Sequence, residues 1–237
     1  MDAVVNIDLE KRCDFKNIKS LDIIRIGTCG ILQPTVPLHS YILTNYAYGL
    51  DNVAHFYDLN YTDIEIKLKN NLNKHMGSVI PSEVNTYVSS ASPNMINKLT
   101  SNLTIPAITV TAPGFYGPQG RHLRLNTKTN KMNELLMSFN NDSSSSNNDG
   151  VDSTTTDDNN SSTDTTTTTD STSLSDINTQ KVVNFEMESS ALYALGKHLG
   201  HNTATICLGI ANRSIGAFSS DSTPYMLNMI EYVLDRI

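Results

Sequence analysis

Residues 184–213 read NFEMESSALYALGKHLGHNTATICLGIANR. Met187, Ala191, Ala194, Leu195 and Leu199 recur at helical spacing, which predicts a helix over Asn184–Leu199 with Gly200 as its stop. Thr203–Ile210 then reads as a buried strand. Further on, Thr223-Pro224 has the form of an N-cap followed by Pro at N1. It predicts a helix with Met226, Leu227, Ile230, Val233, Leu234 and Ile237 on one side. Upstream, Leu21–Ile26 is a short apolar run broken by Arg25 and ending in a Gly27-Thr28-Cys29-Gly30 turn. Strands are expected at Ser40–Thr44 and Ala107–Thr111, and short helices from Ser92-Pro93 to about Leu99 and over Met132–Phe139. Alternation of strands and helices with apolar strands predicts an α/β fold around a mostly buried sheet. There is no internal repeat.

A chain of 237 residues fits one large domain or two small ones. Its formal charge of −7 is localised, because residues 140–176 carry eight Asp and no Lys or Arg. Without them 16 acidic residues face 17 basic ones, a balance of +1, so the acidity says nothing about a ligand. This Ser/Thr/Asn/Asp tract has too little apolar surface to offset the entropy of ordering. It is expected to be a disordered insertion in a single domain spanning 1–237, with an acidic docking segment as the alternative. Cys13, Cys29 and Cys207 form neither a disulfide framework nor a metal spacing. No apolar stretch reaches membrane-spanning length, the N-terminus is not a signal peptide, and no basic patch points to nucleic acid. A cytoplasmic, reducing location is expected.

The richest candidate for chemistry is Phe115-Tyr116-Gly117-Pro118-Gln119-Gly120-Arg121, a turn after the extended run Ile108–Thr111. Its aromatic face, planar amide and guanidinium fork can together hold a planar heterocycle. A structural turn whose Arg caps a carboxylate is the alternative. Arg25 and Thr28 beside a Gly-containing turn suit an anion, or are an ordinary surface turn. The acidic pair of Glu186-Met187-Glu188 can accept bonds from vicinal hydroxyls, or merely complement a helix dipole. Arg213 follows a strand end, where α/β proteins place their sites, or is a solvated charge. His198 and His201 read as partners of a helix C-terminus and not as a metal set. Tyr41, Tyr46 and Tyr48 read as strand and loop packing.

In this order, the pieces VNIDLEKR, LDIIRIGTCGILQPTVPLHSYI, TVTAPGFYGPQGR, NFEMESSALYALGKHLGH, TATICLGIANRS and EYVLDRI resemble the nucleoside phosphorylase superfamily, and most closely its uridine phosphorylases. The resemblance implies a three-layer fold with a central mixed sheet flanked by helices. It implies reversible phosphorolysis of uridine to uracil and ribose 1-phosphate. Arg25 and Thr28 would bind phosphate, Phe115 would stack on the base, and Gln119 with Arg121, the two catalytic candidates, would read its carbonyl and N3–H edge. Met187 and Glu188 would hold the ribose. Arg213 falls where purine-specific relatives carry an Asp, which favours a pyrimidine. Inorganic phosphate is then a co-substrate, with no organic cofactor and no metal, and assembly from dimers is the family's habit. The family's Gly-Asp-x-x-Arg phosphate loop precedes the matching region and is absent from this sequence, so an N-terminally truncated domain is expected. Two alternatives remain: a non-catalytic nucleoside-binding or subunit-interaction homologue, and a purine nucleoside phosphorylase.

Overall fold

The structure is a computed structural model that describes residues 1–141 and 181–237. The tract expected to be disordered lies outside the described residues, apart from Asn140 and Asn141. A short helix α1 (Asp2–Asn6) and a two-stranded ribbon of β1 (Ile7–Asp8) and β2 (Cys13–Asp14) lead into β3 (Asp22–Ile31) and β4 (Tyr41–Gly49). Then come α2 (Asp63–Met76), β5 (Tyr87–Ser90), α3 (Pro93–Leu99), β6 (Thr104–Thr111) and α4 (Met132–Ser138). The second flank supplies β7 (Val182–Glu186), α5 (Ser189–His198), β8 (Asn202–Asn212), β9 (Ala217–Phe218) and α6 (Thr223–Leu234).

The main sheet has seven strands in the order β5-β4-β6-β7-β3-β8-β9, with parallel and antiparallel neighbours. Strand β4 also pairs antiparallel with β8, Tyr41–Leu43 against Leu208–Ile206. That pairing closes the sheet into a barrel-like ring. Strands β7 and β8 from the second flank fit between and beside β6 and β3 from the first. Inside the ring the register is fixed by polar pairs as well as apolar ones: Thr44 bonds Thr109 at 2.7 Å, and Thr109 donates to Asn184 at 2.8 Å.

Helices cover the ring where the sequence supplies apolar faces. Helix α5 is pinned by Tyr193, whose buried hydroxyl donates to the Thr44 carbonyl and accepts from the Thr205 N–H. Burial pushes that phenol's pKa up. Helix α2, which periodicity alone did not reveal, opens with a capping box between Thr62 and Glu65. Buried Glu65 also accepts from the Ser90 N–H at 2.8 Å and from Lys197 at 2.9 and 3.0 Å, which ties α2 to β5 and α5.

Four local expectations need correction. Asn184–Glu186 is strand, because Val182–Glu186 is claimed by parallel pairing with β6, so the helix begins only at Ser189. Gly27–Gly30 is not a turn: β3 runs through to Ile31 with an irregularity at Cys29/Gly30. Helix α6 buries Met229, Tyr232 and Val233, while Leu227 and Leu234 face outward. The Tyr232 hydroxyl, donating 2.6 Å to the Leu99 carbonyl, fixes that rotation. His201 is held by Asp2 at 3.1 Å and by the Leu21 N–H at 3.2 Å, whereas His198 does contact the Ala194 carbonyl in the last turn of α5. Among the described residues no helix is long and apolar enough to cross a membrane.

Candidate active site

One cavity of about 620 Å³ is lined by all eight residues singled out in the sequence: Arg25, Thr28, Phe115, Gln119, Arg121, Met187, Glu188 and Arg213. Four parts of the chain bring them together. Strands β3 and β8 lie side by side and in parallel; Arg25 stands in the first half of β3 opposite Thr205, Arg213 follows the end of β8, and both side chains line the cavity. The segment after β6 adds the turn, and the segment after β7 adds Met187 and Glu188.

The turn holds its shape through backbone bonds. Gly117–Gln119 is a single 3-10 turn with Pro118 near its start. The N–H groups of Gln119 and Arg121 both donate to the Tyr116 carbonyl, at 3.0 and 2.9 Å. Thr129 donates to the Gly117 carbonyl at 2.8 Å and fastens the turn to the following loop. This geometry buries Gln119 while leaving Phe115 half exposed at 52 %. The Arg121 guanidinium lies over the Phe115 ring, 4.5 Å from its centroid, so a planar ligand stacking here would share that face or displace the guanidinium.

Arg213 follows β8 directly, and its N–H is anchored on the Ile31 carbonyl at 2.8 Å. Its guanidinium crosses Gly30, where a Cβ would stand 2.6 Å from Arg213 Nε. The side chain lies against Phe185, donates through Nη2 to Gln119 Oε1, and keeps a buried Nη1 with no partner. Burial, and then repulsion from Arg121, lower its pKa to about 10.

Arg25 has a similar setting and a different balance. It lies over Gly27, where a Cβ would stand 2.6 Å from Arg25 Nη1. It is paired with Glu188, reaches Glu186 at 3.4 Å and donates to Cys207 Sγ at 3.2 Å. Burial works against its charge, but Cys207, Glu186 and Glu188 outweigh burial and raise the pKa.

Glu186 organises this end. Fully buried, it accepts from the Thr111 hydroxyl at 2.5 Å and from the N–H groups of Glu188 and Ser189 at 2.9 Å. It thereby caps α5 from the end of β7 and sets the turn that aims Met187 and Glu188 into the cavity. The glycines of β3 had a purpose other than a turn: they leave room for two guanidinium groups.

The sequence named Glu186 as one of an acidic pair for vicinal hydroxyls or a helix dipole, and not as the buried organiser of the turn; it gave no notice of Phe185 and Asn133, which also line the cavity. The run Val182-Val183-Asn184-Phe185 carried a strand signal that exposes Phe185 as a wall residue; nothing local signals Asn133. A second cavity of about 620 Å³ adjoins the turn and is walled mainly by apolar residues such as Leu50, Val84, Leu125 and Met132. Among the described residues no group of three or more His, Cys, Asp or Glu is placed to hold a metal ion.

The model of the phosphorylase superfamily matches residues 5–222. The chain belongs to the phosphorylase superfamily. Comparison with curated protein sequences finds no match. Among solved structures, a nucleoside phosphorylase of Trypanosoma brucei, described as showing uridine phosphorylase activity, aligns with 99 % of this chain and 73 % of its own, at a TM-score of 0.73 and 21 % identity. A uridine phosphorylase of Schistosoma mansoni in apo form aligns with 91 % of this chain and 60 % of its own, at a TM-score of 0.48 and 17 % identity. The same enzyme in complex with thymine aligns with 90 % of this chain and 59 % of its own, at a TM-score of 0.46 and 17 % identity. The mixed sheet with flanking helices is thus the superfamily's fold.

Proposed function

We propose that the chain is a pyrimidine nucleoside phosphorylase of nucleoside catabolism and salvage that converts uridine and phosphate reversibly to uracil and ribose 1-phosphate. The observation that carries this reading is the buried guanidinium of Arg213, with an unpartnered N–H, beside Arg121 and Gln119. Such a group suits an oxygen that gains negative charge during the reaction.

In the proposed step a phosphate oxygen attacks C1′ of the ribose. The C1′–N1 bond breaks, and its electron pair passes to the base and its carbonyl oxygens; the uracil anion then takes a proton from water. Arg121, Arg213 and the Gln119 amide favour the charged base over the neutral substrate, which is the condition for acceleration. Arg25 and Thr28 would orient phosphate, Glu188 would hold the ribose hydroxyls and Met187 would pack on the sugar. An arginine cannot protonate a purine ring nitrogen, which weighs against a purine substrate. The reading includes a cytoplasmic enzyme assembled from dimers, with phosphate as co-substrate and no organic cofactor.

The test is release of uracil from uridine by this chain. Release that needs phosphate is expected. Inosine turned over faster than uridine, or release indifferent to phosphate, would overturn the reading. One observation favours a second reading: Arg25 is already paired with Glu186 and Glu188, and the other two arginines lining the cavity stand at its base-reading end. Uridine binding without turnover would make the chain a nucleoside-binding homologue.

A further inference from the structure

We infer that His39 is a positioning residue for the Arg213 end of the cavity: it holds the chain after Arg213 in place as a wall against which the base packs. This rests on the nucleoside reading above and adds a residue to which neither the sequence motifs nor the resemblance gives a role.

The wall runs over residues 214–222. Gly216, Phe218, Ser219 and Ser222 from this stretch line the cavity beside Arg213. Its own support is slight. Strand β9 pairs with β8 at two positions, Ala211 with Phe218 and Asn212 with Ala217. The Ser219 N–H adds one bond to the Ile210 carbonyl at 2.8 Å. So short a hairpin is marginal unless something else holds it. Core packing does not, because Ile215 and Phe218 are exposed.

His39 supplies the tie. Its Nε2 and the Ser219 hydroxyl share a hydrogen bond of 2.7 Å. Its ring stacks on Tyr225 in the first turn of α6, with centroids 3.6 Å apart and planes 10° apart. The imidazole thus joins the end of the hairpin to the start of the helix. It also stands on a firm base. The His39 N–H donates to the Gly209 carbonyl at 2.8 Å, and the Gly209 N–H donates to the Ser40 carbonyl at 3.0 Å, which fixes this part of the chain to β8.

The backbone shows that the ring is held against a cost. His39 has φ +66°, in the left-handed region that favours glycine. Strain of this kind persists where the surroundings over-determine it, and it gathers at sites that clamp a ligand. Glycine would relieve the backbone and leave Ser219 and Tyr225 without the ring between them. A wall already in place spares the ligand the cost of ordering it. His39 therefore acts on nucleoside affinity, whereas phosphate, at the Arg25 end, does not feel it.

The test compares wild type with His39→Gly, His39→Gln and Ser219→Ala. It measures steady-state phosphorolysis of uridine, calorimetric binding of uracil, and hydrogen exchange of the ligand-free chain. Glycine is at ease at φ +66°, so His39→Gly removes the ring without straining the fold. In that variant KM for uridine is expected to rise about 10-fold, with kcat within about threefold and KM for phosphate unchanged. Amides of residues 214–222 exchange faster, while those of α2 do not change. His39→Gln, whose amide reaches where Nε2 stood, restores most of the KM. Ser219→Ala raises KM by less, and combined with His39→Gly it adds nothing, because both changes break the same bond. If His39→Gly misfolds, Ser219→Ala reads the same split between KM and kcat. A merely structural role would lower Tm and the active fraction, hence kcat, and leave KM alone. That result, or faster exchange with KM unchanged, overturns the inference. Wild-type chain that binds neither uridine nor uracil overturns the nucleoside reading itself, and this role with it.

Discussion

Arg25 within β3 and Arg213 just beyond the neighbouring parallel β8 each cross a glycine and line one cavity, yet they are held in opposite electrostatic settings. Arg25 is answered by two carboxylates and a sulfur, and its pKa is raised. Arg213 is answered by an amide oxygen and opposed by Arg121, and its pKa is lowered to about 10. The Arg213 end, proposed above to read the base, therefore favours an incoming negative charge, whereas the Arg25 end, proposed to hold phosphate, is satisfied without a ligand. A ligand gains much at the first and must break an existing pair at the second.

Breaking the Arg213 end should have the largest effect. Arg121→Ala removes a donor from the developing charge, and kcat/KM for uridine should fall by about 10²-fold or more, read from steady-state uracil release. Arg213→Met should lower kcat/KM about 10-fold while raising the ligand-free Tm by about 2 °C or more, because a desolvated cation is replaced by an apolar chain. The pH sign follows from the lowered pKa. The charged Arg213 costs stability below pH 10, that cost is relieved as pH rises from 10 toward 12.5, and activity falls as the guanidinium loses its proton. A wild-type activity profile flat through pH 10, measured where the fold persists, would contradict the assignment of this group.

The satisfied end makes a smaller and opposite prediction. Glu188→Gln releases Arg25 from its exposed partner. Phosphate binding in the absence of nucleoside, measured by calorimetry, should tighten several-fold, while KM for uridine rises as the ribose loses its carboxylate. Unchanged phosphate affinity would mean that Glu186 alone holds Arg25.

The smallest effect concerns the region between α4 and β7. Asn140 and Lys181 form an isolated antiparallel bridge, so the described chain on the two sides of residues 142–180 lies side by side. Replacing them with a short Gly/Ser turn should change kcat/KM less than about twofold. Stability should rise by about 2 kcal/mol or less, since closure entropy grows only with the logarithm of length. Urea denaturation checks it.

The same contrast explains what was legible in the sequence. The α/β class, the buried strand before Arg213 and the Phe115–Arg121 turn were legible because each rests on local pattern: unbroken apolar runs, a Pro-Gly turn, a strand-end Arg. That the candidate residues share one cavity was legible as an ordered set of such pieces. What was not legible depends on partners distant in the chain. Val182–Glu186 had helical and strand features at once, and only the vacancy between β6 and β3 decides for strand. Gly27 and Gly30 looked like turn residues because their real constraint, two guanidinium groups lying over them, belongs to tertiary packing. By contrast, α2 was missed although Thr62-Asp63-Ile64-Glu65 spells out its capping box.

The closure of β4 on β8 joins Tyr41–Leu43 to Ile206–Leu208, the early chain to the late chain. Contacts so far apart in sequence slow folding, because the loop between them must close before they form. Arg213 lies just beyond that closing strand, and Phe115, Glu188 and Arg25 come from three other parts of the chain. The cavity exists only where these four parts of the chain have come together. A ligand of the cavity would thus bind only the finished fold, act as a stabiliser of it alone, and report, by its appearance as a ligand-induced shift in Tm, that early and late chain have met.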